Sequence, residues 1–77
     1  MDTVKVSVDR DVDFNLARKM ADVIADDGML VSWFDGKKGT HFPDVKCCGE
    51  DSWLVYGKSR GGSLLIEINE YKFLYIK

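Results

Sequence analysis

A change of hydrophobic period, from two to 3.6 and back to two, constrains this chain more than any other feature. Val4, Val6 and Val8 alternate with Thr3, Lys5 and Ser7, the pattern of a strand with one dry face. Asp9-Arg10-Asp11 ends it. Leu16, Ala17, Met20, Val23 and Ile24 then fall within an arc of about 120° at 100° per residue, a single apolar stripe. Asp11 or Asp13 is placed to cap this helix, because a carboxylate there accepts orphan backbone N–H groups. Gly28 suits the left-handed position after its end. The expected helix is roughly 14 residues long.

The period of two returns afterwards. Met29 to Phe34 is apolar except for Ser32 and reads as a strand. Asp35-Gly36-Lys37-Lys38-Gly39 reads as a turn in which Gly36 and Gly39 supply positive φ. Thr40 to Ser52 follows neither period, although a short strand fits within it. Trp53-Leu54-Val55-Tyr56 reads as a strand, and Lys58-Ser59-Arg60-Gly61-Gly62 as a tight reversal. Leu64, Ile66 and Ile68 share one face of the next strand. Asn69-Glu70 suits a short hairpin turn, and Tyr71, Phe73 and Tyr75 line one face of the last strand.

The resulting order is β-α-β-β-β-β. It predicts an α+β fold with a single helix packed on one face of a mostly antiparallel sheet of four or five strands. The helix after the first strand permits a right-handed crossover and a parallel neighbour. One helix covers one face only. The expected bare face carries Trp33 or Phe34, one of the Tyr/Phe rows, and Leu65.

With 77 residues, the chain is expected to form one domain over 1–77. Charged residues are 31 % and apolar residues 45 %, a globular balance rather than a disordered one. The net charge is −2, and no basic run stands out. Nucleic-acid binding, which concentrates basic residues on one face, is therefore disfavoured. No stretch approaches the ~20 apolar residues of a membrane span. The N-terminus lacks the basic and apolar regions of a secretory signal, so the expected location is the cytoplasm, with no membrane partner.

Four features could carry chemistry. His41, Cys47 and Cys48 lie near Asp35, Asp44 and Glu50, and thiolates and imidazole suit zinc. Adjacent cysteines in an extended segment point to opposite sides. A zinc site would thus use one cysteine, His41 and two carboxylates, or ligands from a second chain. The bland alternative packs one cysteine as a small core hydrophobe. Secondly, Lys46 or His41 could lower a thiol pKa for redox chemistry or nucleophilic catalysis, a weaker reading. Thirdly, Arg60, Gly61 and Gly62 could hold an anion with side chain and backbone N–H groups, against the simpler reading of a turn. Fourthly, Trp33, Phe34, Phe42, Trp53, Tyr56, Tyr71, Phe73 and Tyr75 could leave aromatic surface on an uncovered sheet face. That surface would serve a homodimer or stack nucleic-acid bases, and the acidic balance favours the homodimer.

The segments Met29-Leu30-Val31-Ser32-Trp33-Phe34-Asp35, Pro43-Asp44-Val45-Lys46-Cys47-Cys48-Gly49, Trp53-Leu54-Val55-Tyr56 and Ser59-Arg60-Gly61-Gly62 resemble a family of short uncharacterised microbial proteins, a domain of unknown function. The resemblance runs nearly end to end. It implies a compact α+β domain found alone, and it implies no activity, cofactor or partner. The expected function is accordingly that of a small binding or interaction domain, more non-enzymatic than enzymatic. Its partner would be a second copy, joined through an aromatic sheet face or an edge strand, or an unidentified protein or small molecule. The alternative is a metal-binding or thiol-redox protein using His41, Cys47 and Cys48.

Overall fold

The protein is represented by a computed structural model that describes residues 1–43 and 51–77. Its elements are β1 (Asp2–Val6), α1 (Phe14–Ala25), β2 (Met29–Asp35), β3 (Thr40–Phe42), α2 (Ser52–Ser59), β4 (Leu64–Ile68) and β5 (Tyr71–Ile76). The strands form one sheet in the order β1-β4-β5-β2-β3. Only the β1–β4 pair is parallel; β4–β5, β5–β2 and β2–β3 are antiparallel. The α+β class therefore stands, with the main helix on a mostly antiparallel sheet. The parallel neighbour of β1 is β4, so the chain returns to β1 only after β2, β3 and α2.

Register fixes what each face carries. Val4, Ile66, Phe73, Trp33 and Phe42 line up across all five strands on the face under α1. The neighbouring row on the opposite face is Lys5, Glu67, Lys72, Phe34 and His41. The first row is core. The second is polar at its β1 end, where Glu67 lies 3.9 Å from Lys5 and 3.8 Å from Lys72. Such exposed pairs contribute at most ~1 kcal/mol each.

Helix α1 starts where the sequence places a cap: Asp13 Oδ1 accepts from Leu16 N at 2.8 Å. Its buried side differs from the expected stripe. Ala17, Ala21 and Ala25 are fully buried, and Phe14 packs its ring against Trp33, Tyr71 and Phe73 at 4.6, 6.1 and 5.6 Å. Leu16 and Val23 face solvent instead. The small alanines let the helix lie close over the Phe73 and Ile66 rings and branches, a contact that larger residues would prop open. The helix ends at Asp26, which takes φ 59°, rather than at Gly28.

The segment Trp53–Tyr56, expected as a strand, is the first half of α2. A run of four apolar residues fits either period, and tertiary packing decides between them. Trp53 is buried and stacks on Phe34 with centroids 5.8 Å apart and rings 18° from parallel. Gly57 lets the helix backbone rest on Leu74 and Ser32; a Cβ there would overlap Leu74 Cδ2 and stand 2.6 Å from Ser32 Oγ. The expected bare face is thus half roofed, over β2 and β5. The short strand compatible with Thr40–Ser52 is β3.

The turns follow their residues. Asn69 takes φ 52° between β4 and β5, and its side-chain oxygen accepts from Val8 N at 2.8 Å, tying down the exit of β1. Between β2 and β3, Asp35 Oδ1 accepts from Lys37 N and Lys38 N. Gly39 there takes positive φ, whereas Gly36 does not.

Candidate functional site

Among the described residues, both ends of the strand order pair on one side only, and they differ in chemistry. At one end, β1 pairs on one side only among the described residues. Asp2 N donates to Ser63 O and Val6 O accepts from Asn69 N. Even-numbered residues of β1 therefore turn their backbone groups toward β4. By alternation, Thr3 and Lys5 turn theirs outward. The Val4 and Val6 side chains are half-buried beside this edge.

At the other end, α1 stops short of β3. Arg18, Leu30, Trp33 and Phe42 line an open cleft of about 320 Å³ between the helix and the β2–β3 hairpin. Trp33 and Phe42 form its floor, 6.2 Å apart and 18° from parallel. Phe14 abuts Trp33 from the core side. Phe42 is 51 % exposed, a large aromatic left to solvent.

The Arg18 side chain is linked through Asp22 to a buried polar group. Tyr75 is 1 % exposed, and its hydroxyl donates to Asp22 Oδ1 at 2.5 Å. Asp22 Oδ2 lies 4.0 Å from Arg18 Nε. Burial, then the hydrogen bond to the Asp22 carboxylate, pushes the Tyr75 pKa up well beyond the usual phenol range. Folding therefore favours the neutral phenol. The stability it contributes is whole below the ordinary phenol pKa near 10 and is lost as pH rises above it. Tyr71 is shifted the same way by its own burial.

The residues singled out from sequence are scattered. His41 sits on β3 with its Nδ1 3.0 Å from Pro43 O. A carbonyl only accepts, so Nδ1 carries a proton and donates, which in the neutral ring leaves Nε2 with the lone pair. Cys47 and Cys48 lie outside the described residues, as do Asp44, Lys46 and Glu50. Among the described residues, no three His, Cys, Asp or Glu side chains are grouped to hold an ion.

The Arg60–Gly62 turn closes α2. Arg60 N donates to Gly57 O, Gly61 N to Lys58 O and Gly62 N to Gly57 O. These amides cap the helix carbonyls, so an incoming anion would meet the Arg60 side chain rather than a ring of N–H donors. That guanidinium lies 4.6 Å from the Tyr56 ring centroid. Most of the aromatics are covered by α1 or α2; Trp33 and Phe42 keep the open face. Arg18 and Leu30 were not singled out by sequence. The available signal was the Asp35–Gly39 turn, which sets Trp33 opposite Phe42. No helix among the described residues is long and apolar enough to cross a membrane.

Comparison with known proteins gives a family without an assigned role. The family described as a domain of unknown function, DUF5619, matches residues 1–76. An uncharacterized protein of Archaeoglobus fulgidus is 40 % identical over 78 aligned positions, covering 97 % of this chain and 86 % of the relative. A crystal structure of a protein from the same organism, also 40 % identical, superposes with a TM-score of 0.93 and covers all of this chain and 95 % of that one.

Proposed function

The chain belongs to the DUF5619 family, and from that premise we propose that it is a small non-enzymatic interaction domain that pairs with a second copy of itself along the free edge of β1. The outward backbone groups of Thr3 and Lys5 carry this reading. In a two-fold arrangement with both α1 helices on the same side, facing residues must share a face. Pairing about Val4 meets that condition. Thr3 then stands opposite the partner's Lys5, and each such pair exchanges both N–H···O bonds. Val4 meets the partner's Val4 in the close, non-bonded position of the ladder.

Two further features support it. Lys5, the usual deterrent to edge pairing, sits on the opposite face beside Glu67, so its charge is balanced at the seam. The seam itself carries the half-buried Val4 and Val6 side chains. A domain of this size gains only about 3–5 kcal/mol from its own core, so pairing would add appreciable stability.

Light scattering on the eluting protein tests the proposal. The expected mass is twice the 8.7 kDa of the chain. Thr3→Pro removes an outward N–H at an edge position, where proline is tolerated, and should return the single-chain mass with an unchanged circular dichroism spectrum. A single-chain mass for the unsubstituted protein, or a folded Thr3→Pro variant that still pairs, would overturn it.

A second reading keeps one observation in its favour: His41 Nδ1 bound to Pro43 O leaves Nε2 aimed away as a ligand atom. Zinc titration followed by the His41 ring resonances tests it. Stoichiometric shifts would support a role with Cys47 or Cys48, and unmoved resonances would dismiss it.

A further inference from the structure

We propose that the cleft between α1 and the β2–β3 hairpin binds a small planar aromatic carboxylate. This inference goes beyond pairing at β1 and is independent of it, because the cleft lies at the opposite end of the strand order.

Three properties of the cleft select that chemistry. Its floor is flat and π-faced: Trp33 and Phe42 are 18° from parallel, with centroids 6.2 Å apart. A planar ring laid on their exposed face gains stacking and buries apolar surface. Leu30 closes one side. At about 320 Å³ the space is near the lower limit for ligand sites, enough for one small molecule.

The charge at the rim is positive. Arg18 is the one ionisable side chain lining the cleft among the described residues, and its charge complements a carboxylate. Its Nε lies 4.0 Å from Asp22 Oδ2, and Asp22 also accepts from the Tyr75 hydroxyl. The terminal nitrogens of the guanidinium have no hydrogen-bond partner among the described residues. Two such nitrogens match the two oxygens of a carboxylate, a bidentate geometry that an ammonium does not offer. Asp22 does not line the cleft, and one of its oxygens is already occupied by Tyr75.

Among the described residues the lining holds a cation, an aliphatic side chain and two aromatic rings, groups that pair with and stack on a ligand.

Two-dimensional amide and indole NMR tests it, with benzoate as the probe and two matched controls. Benzamide keeps the ring and loses the charge; cyclohexanecarboxylate keeps the charge and loses the planar ring. Benzoate should shift the Trp33 indole signal together with Arg18, Leu30 and Phe42. The Trp53 indole, buried where α2 meets Phe34 on the other face of the sheet, should stay in place. Each control should bind about tenfold more weakly or worse. Arg18→Gln should weaken benzoate by a similar factor and leave benzamide unchanged. Phe42→Ala, at a half-exposed position, should weaken both in a variant whose circular dichroism spectrum is unchanged.

The proposal fails if benzamide binds as well as benzoate, if Arg18→Gln leaves benzoate affinity intact, or if the shifts map elsewhere. It also fails if millimolar benzoate moves nothing. Movement of the Trp33 indole with protein concentration alone would make the cleft a protein contact and overturn the small-molecule reading.

Discussion

Helices α1 and α2 cover opposite faces of one sheet by different means. Helix α1 is capped by a side chain and sinks three alanines over an apolar row that crosses all five strands. Helix α2 is shorter, lacks a side-chain cap hydrogen bond, and makes its close approach through backbone at Gly57. The first depends on a pattern repeated along a helix. The second depends on one missing side chain meeting one leucine. The lesson is that a sheet face can be roofed by local fit alone, with little amphipathic pattern to announce it.

The largest effect should come from the α1 face. Phe73→Ala deletes a fully buried ring that meets Phe14 and should cost about 3–5 kcal/mol, comparable to the whole stability of a domain this size, so circular dichroism should show most of the folded signal lost without denaturant. A variant that keeps its folded signal would mean the α1 face is loosely packed. Gly57→Ala should cost about 1–3 kcal/mol, because the added methyl overlaps Leu74. An unchanged midpoint would show that α2 does not rest on the sheet as described. The caps give the smallest and sharpest contrast. Asp13→Ala should cost about 1 kcal/mol, whereas Asp51→Ala should change little, since the Asp51 side chain makes no cap bond. Equal costs would erase the difference between the two helices.

That contrast also explains what could be read from the chain. The alternation of Val4 and Val6, the cap at Asp13 and the Asn69 turn each leave a local mark and appear where the residues place them, although β1 stops at Val6, short of Val8. Trp53–Tyr56 leaves no such mark. Four consecutive apolar residues satisfy a strand and a helix alike, and only contact with Phe34, Ser32 and Leu74 selects the helix. The apolar arc of α1 was visible, but its centre was misplaced toward Leu16 and Val23. The buried side is chosen by which residues are small enough for close approach, and a hydrophobicity pattern does not weigh alanine that way.

The site was less legible than the fold. Trp33 and Phe42 stand out as aromatics, yet their meeting depends on the β2–β3 register. Arg18 enters only because α1 crosses over β4 and β5 and turns that flank toward the hairpin. The Arg60–Gly62 turn illustrates the reverse. Its glycines suggest open N–H groups, but helix α2, unread in the sequence, claims those groups for its own carbonyls.

Pairing along β1 is the central claim, and amide hydrogen exchange at Thr3 and Lys5 tests it most directly. Their N–H groups face away from β4, so in a lone chain they meet water, whereas Val4 N–H is held within the sheet. The account predicts slow exchange at Thr3 and Lys5 at high protein concentration, accelerating on dilution while Val4 stays protected. Fast, concentration-independent exchange at Thr3 and Lys5 beside a protected Val4 would contradict it.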